Sequence, residues 1–216
     1  MPEKVDLLAD PAAAASGAVD KIAAARVWLL KEKPFFGVLS RALTIDPRPD
    51  ERAFRLFAND RLAVNPLFVL RTPFPVLVAR LAHIALHAAL GGFVRRGERD
   101  ARRWNLAHDL AIDPLVRGAG LVLGLPPPPD DLPPGSSAED IFALLPEGSA
   151  PGDDWCDISE APSDDPPPAA GGSPARSHAD EQAHALAWKM RLSTALQEER
   201  ASGGKTWGDV LFGSMK

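Results

Sequence analysis

His83 and His87 stand four residues apart in the run Leu81-Ala-His-Ile-Ala-Leu-His-Ala-Ala-Leu90. On a helix, residues at i and i+4 share one face a turn apart, close enough for two imidazoles to hold one metal ion. Such a pair becomes hydrolytic in the H-E-x-x-H arrangement. There a glutamate follows the first histidine and takes the proton of a water that zinc polarises. Here that position is Ile84, which neither accepts a proton nor holds a water. General-base assistance contributes about 10²–10⁴-fold, so its loss removes hydrolysis before it removes metal binding.

A zinc site with an open position needs three protein ligands. The third has two candidates, His108 and Asp109 in Trp104-Asn-Leu-Ala-His-Asp-Leu110, if the helix carrying them folds back against the histidine pair. Two residues weigh against a cation. Arg80 lies one turn before His83 on the same face and repels a dication unless its guanidinium turns away. Gly92, five residues after His87, offers no ligand. The plainer alternative makes His83 and His87 core histidines hydrogen-bonded to backbone and Asp109.

The elements that must position these groups are mostly helical. Residues 12–32 read as a helix with Val19, Ile22, Ala23, Val27, Leu29 and Leu30 at helical spacing. Pro34 suits the start of a second short helix through Phe35-Phe-Gly-Val-Leu39. Residues 53–64 alternate apolar and polar around the turn residues Asn59-Asp60-Arg61, which predicts a β-hairpin. Residues 73–94 are apolar on every side, the mark of a buried helix. Asp100 caps a helix running to about 118, with Pro114 in its last turn. Ser137-Ala-Glu-Asp140 resembles a capping box before a short helix. The stretch 147–176, rich in Pro, Gly, Ser and Asp, predicts a disordered linker. Ser177 then caps a polar helix to about 202, and the apolar tail with Trp207, Val210, Leu211 and Phe212 is expected to dock on the core. The domain plan is thus 1–146 as the main domain, 147–176 as linker, and 177–216 as helix and tail.

Composition narrows the function. Over 216 residues the net charge is −5, which argues against a nucleic-acid groove or a polybasic membrane patch. Phe74 to Leu90 is broken by Arg80 and two histidines, so no run is expected to span a membrane. The lone Cys156 and the absence of a basic-apolar leader in Met1-Pro-Glu-Lys-Val-Asp point to a reducing, cytoplasmic setting. Cys156 sits among Asp153, Asp154 and Asp157, which disfavour a thiolate. Those acids fit no calcium-loop spacing. Gly203-Gly-Lys-Thr206 lacks the first glycine of a phosphate loop and reads as a helix stop. His178 and His184 are expected to face solvent, and Trp104 to anchor helix packing.

Read together, five blocks make the chain resemble a bacterial metallopeptidase domain that often precedes a von Willebrand factor A-like domain. They are Pro34–Leu39, Asn59–Pro66, Leu81–Gly91, Arg99–Asp109, and Gly135–Phe142 ahead of Leu144-Leu145. The resemblance implies an α+β, predominantly helical, zincin-like fold, in which a helix pair carries the site beside a small β-hairpin or sheet. It also implies an A-like domain downstream. In that family the motif reads His-Glu-x-x-His, often with another histidine five residues later. This chain departs at both points, with Ile84 and Gly92. Asp109 matches the family's Ala-x-Asp block and so becomes the inherited third ligand, while His108 points about 100° away on the helix. The expected function is a catalytically inactive metallopeptidase-like scaffold, with zinc as the possible metal. Its implied partner is a MoxR-type AAA+ ATPase or an A-domain protein. The alternative is a zinc-dependent hydrolase using His83, His87 and Asp109 with a base from elsewhere.

Overall fold

The computed structural model describes residues 10–129, 132–152, 157–158 and 178–203. The expectations for Cys156, the acids at 153–154 and the tail at 207–212 lie outside them, as does most of the 147–176 stretch. Among the described residues the fold is α+β and mainly helical, with one small sheet.

Helix α1 (Pro11–Glu32) starts where Asp10 accepts hydrogen bonds from the Ala12 and Ala13 amides, as an N-cap does. Its buried stripe is Ala14, Ala18, Ile22, Ala25 and Leu29. The sequence reading had the face rotated: Val27 is 57% exposed, and the inward side is mostly alanine. Small side chains permit close helix packing, and hydrophobicity alone does not mark that choice. Helix α2 (Pro34–Arg41) follows after one residue and turns back on α1. A Cβ at Gly37 would lie 2.6 Å from the Leu30 backbone, so the two helices meet main chain to main chain.

The sheet contains the expected hairpin, β2 (Phe54–Leu56) antiparallel to β3 (Arg61–Val64). It also contains two strands that the pattern did not reveal. Strand β1 (Thr44–Pro47) pairs parallel with β3 and forms an edge, where Pro47 is tolerated. The two-residue β4 (Asp157–Ile158) pairs parallel with β2. Next, α3 (Pro66–Arg71) is capped by the Asn65 side chain, which accepts from the Phe68 amide. At its other end, Lys21 of α1 donates to the carbonyls of Val69, Leu70 and Thr72, a cation placed where helix carbonyls run out of partners.

Helix α4 (Phe74–Ala89) is buried almost all round, from Leu77 to Ala89 except at Arg80. It stops earlier than its apolar run suggests. Gly91 takes a left-handed conformation (φ +69°), and a separate short helix α5 (Gly92–Arg96) begins. Helix α6 (Ala101–Gly118), capped by Asp100, returns alongside α4 and keeps Pro114 within it. Helix α7 (Ala138–Leu144) has the expected capping box between Ser137 and Asp140 and packs on α6 through Ile141.

Helix α8 (His178–Ala201) lies across α2 and α4. Two polar anchors hold it. Asp60, in the turn of the hairpin, accepts from His184 Nε2 (2.8 Å), Trp188 Nε1 (2.8 Å) and Arg191 Nη1 (3.1 Å). Glu199 accepts from the buried Phe35 amide at 3.0 Å and so caps α2, which lacks a side-chain cap of its own. His184 is therefore a half-buried anchor, in contrast to the solvent-facing residue expected from the polar sequence around it.

Candidate metal centre

The antiparallel return of α6 along α4 brings the two motif segments face to face. Nε2 of His83 and Oδ1 of Asp109 are 3.0 Å apart, Nε2 of His87 and Oδ1 of Asp109 2.9 Å, and the two Nε2 atoms 2.9 Å. All three side chains are buried; His87 and Asp109 have no exposed surface at all. Of the two third-ligand candidates, Asp109 joins the triangle. His108 does not, and instead places Nδ1 2.8 Å from Nδ1 of His87, on the far side of that ring.

Three donors this close pose a proton problem. An imidazole nitrogen has one in-plane position, either an N–H or a lone pair. A nitrogen donating along one edge of the triangle cannot accept along its other edge. No arrangement of protons therefore gives each of the three edges its own hydrogen. A second discrepancy adds to the first: Asp109 Oδ2 is buried without a hydrogen-bond partner among the described residues. Such groups are costly unless something pairs with them.

A divalent cation fits this donor set, because it takes all three lone pairs at once and neutralises the carboxylate. Ligands of a tetrahedral zinc with bonds of about 2.0–2.1 Å sit about 3.3–3.4 Å apart, so the observed edges need open by only a few tenths of an ångström. Two histidines four apart on one helix plus one carboxylate from another is a set used by zinc and, as a facial triad, by ferrous iron.

The electrostatics agree. Burial pushes the Asp109 carboxyl above its ordinary range, against the hydrogen bond and charge of His83. Burial, helped by His83, pushes His87 well below the usual imidazole range, and His108 shifts the same way for the same first reason. With His87 neutral, its contact with Asp109 is no ion pair. Arg80, the expected obstacle, points its guanidinium over the Phe68 ring at 5.2 Å from the centroid, a favourable cation–π arrangement.

Ile84, at the glutamate position, is completely buried in the main apolar core. A second acid sits nearby on α6, unnoticed in the sequence: Asp113, one turn beyond Asp109, has a fully buried side chain paired with Arg117 at 2.8 Å. Burial raises its carboxyl despite that partner, and His83 and Asp109 both act on it electrostatically. The i, i+4 spacing from Asp109 was the available signal. Trp104, expected as a plain packing anchor, stacks on His108 (5.8 Å between centroids, 13°) and donates Nε1–H to the Gly92 carbonyl.

A family model described as "Putative metallopeptidase domain" matches residues 18–201. The chain belongs to that metallopeptidase-domain family. The match takes in every element from most of α1 to the end of α8, so the family unit includes the helix pair and the helix laid across it. Neither the curated proteins nor the solved structures give a match to this chain. No described helix is long and apolar enough to cross a membrane.

Proposed function

We propose that this chain is a metal-binding, non-hydrolytic member of its family, in which His83, His87 and Asp109 hold a divalent cation, zinc first, and the domain works as a binding module. The observation that carries the metal half is the triangle of three donor atoms that no set of protons satisfies. His83 and His87 would contribute their Nε2 atoms and Asp109 its Oδ1. When bound, the cation supplies positive charge at the α4–α6 junction and offsets the buried carboxylate.

The non-hydrolytic half rests on Ile84. Its side chain belongs to the core and can neither take nor return a proton, so no general base stands at the family's usual place. The helix pair flanked by the hairpin supports a zincin-like reading of the scaffold. For a partner we infer a protein, a MoxR-type AAA+ ATPase or an A-like domain. The resemblance supports this, and so do Leu186 and Met190, 59% and 64% exposed on α8.

Elemental analysis of protein purified without added metal tests the first half: about one equivalent of zinc is expected. A chain without metal would overturn it. Ile84→Glu tests the second. Placing a carboxylate in this apolar site should cost on the order of 3–5 kcal/mol in urea unfolding and yield no peptide cleavage with zinc present. Cleavage by the wild type with zinc present would overturn the inactive reading, whereas cleavage gained only in Ile84→Glu would show that the scaffold lacks nothing but its base.

Asp113 favours one rival, a zinc-dependent hydrolase with a non-standard base. Both its oxygens accept from Arg117 Nε, which argues for a structural post. Cleavage by the wild type, lost in Asp113→Asn while zinc is retained, would establish the rival.

A further inference from the structure

His87 turns Nε2 toward His83 and Asp109 and Nδ1 toward His108. We propose that His108 is a positioning residue for the metal site, accepting the Nδ1–H of His87 and so keeping the Nε2 lone pair aimed at the cation. This inference rests on the metal-binding reading above.

A neutral imidazole carries one N–H, so the nitrogen that binds metal is fixed by where the proton resides. The two Nδ1 atoms at 2.8 Å share a single hydrogen. If His108 supplies it, the proton of His87 is forced onto Nε2, where a ligand atom is needed. If His108 accepts it, Nε2 is free. Metal-ligating histidines commonly donate their second N–H to such an acceptor, which fixes ring orientation and raises ligand basicity. Carboxylates and carbonyls usually fill that role; here a third imidazole does.

The surroundings hold the acceptor in place. A Cβ at residue 92 would lie 2.7 Å from both Cε1 and Nδ1 of His108, so the ring occupies room that only glycine leaves. Trp104 covers the ring from the other side and, through Gly92, ties it to the start of α5. Gly92 and His108 thus form a matched pair: the absence of a side chain on one helix makes the seat for a ring from another.

The test uses the full chain with zinc affinity from chelator competition and the visible spectrum of the cobalt-substituted protein. His108→Phe keeps a ring against Trp104 but has no acceptor. Gly92→Ala crowds the seat. Both should bind zinc about 10–100-fold more weakly and shift the cobalt bands. His108→Asn, whose amide oxygen falls near the Nδ1 position, should stay close to wild type. Should His108→Phe fail to fold, Gly92→Ala carries the same expectation. Wild-type affinity and spectrum in both crippled variants would overturn the positioning role while leaving the metal site standing. A wild type that takes up neither ion would bring down both.

Discussion

Asp60 and Asp109 are both acids withdrawn from water beside histidines, yet their environments act in opposite directions. Asp60 faces three donors from α8, namely His184, Trp188 and Arg191. Burial alone would raise its carboxyl, but those donors overcome the effect and hold it below the ordinary range. Asp109 faces two imidazole nitrogens, has one oxygen without a hydrogen-bond partner among the described residues, and is raised. The first carboxylate is complete as it stands and serves as a rivet for a helix. The second is the carboxylate of the proposed metal site, where burial outweighs the histidines around it. Burial of an acid therefore says little; what surrounds it separates architecture from chemistry.

The largest effect that could break this contrast is loss of metal. His87→Ala or Asp109→Ala should abolish stoichiometric zinc in elemental analysis, whereas Asp60→Ala should retain it. Next in size is Asp60→Ala itself. Removing the acceptor leaves the buried Trp188 indole N–H unmet, at roughly 1–3 kcal/mol, and releases the more exposed His184 and Arg191, so thermal unfolding should fall and hydrogen exchange should rise across 178–203. Asparagine at the two positions should then give opposite signs in the presence of chelator. Asp60→Asn should destabilise, while Asp109→Asn should be neutral or stabilising by about 1 kcal/mol, because it removes a carboxylate whose charge burial disfavours. Destabilisation by both would erase the distinction.

The smallest effect is in acid. A carboxyl whose folded value lies below its unfolded value, near ~3.9, stabilises fully above that unfolded value and loses its contribution as pH falls through the folded one. The gap in stability between wild type and Asp60→Asn should thus be wide at neutral pH and close below about pH 4. A gap that widened in acid would contradict the rivet.

The parts legible in the sequence were those written in local pattern. The all-round apolar run of α4, the alternation at 53–64 and the Ser137 box each belong to one segment, and each produced its element. His83, His87 and Asp109 could be proposed together because one short connection returns α6 along α4. What stayed hidden depends on partners distant in the chain. Strand β1 has little apolar signal of its own and exists because β3 offers it an edge. The roles of His184, Trp188 and Arg191 rest on Asp60, 124–131 residues away. Their 4-and-3 spacing showed a common helix face but not what it would meet. His108 looked misdirected because only direct ligation was considered; Gly92 hinted at its seat, legible only once the helices were placed.

The bond from the Phe35 amide to Glu199 has a consequence for biogenesis. The start of α2 is synthesised early, yet its cap arrives 164 residues later, on the far end of α8. A nascent chain still lacking that helix has not yet gained this acceptor for the Phe35 amide. Completion of this fold therefore waits on α8, the last helix among the described residues.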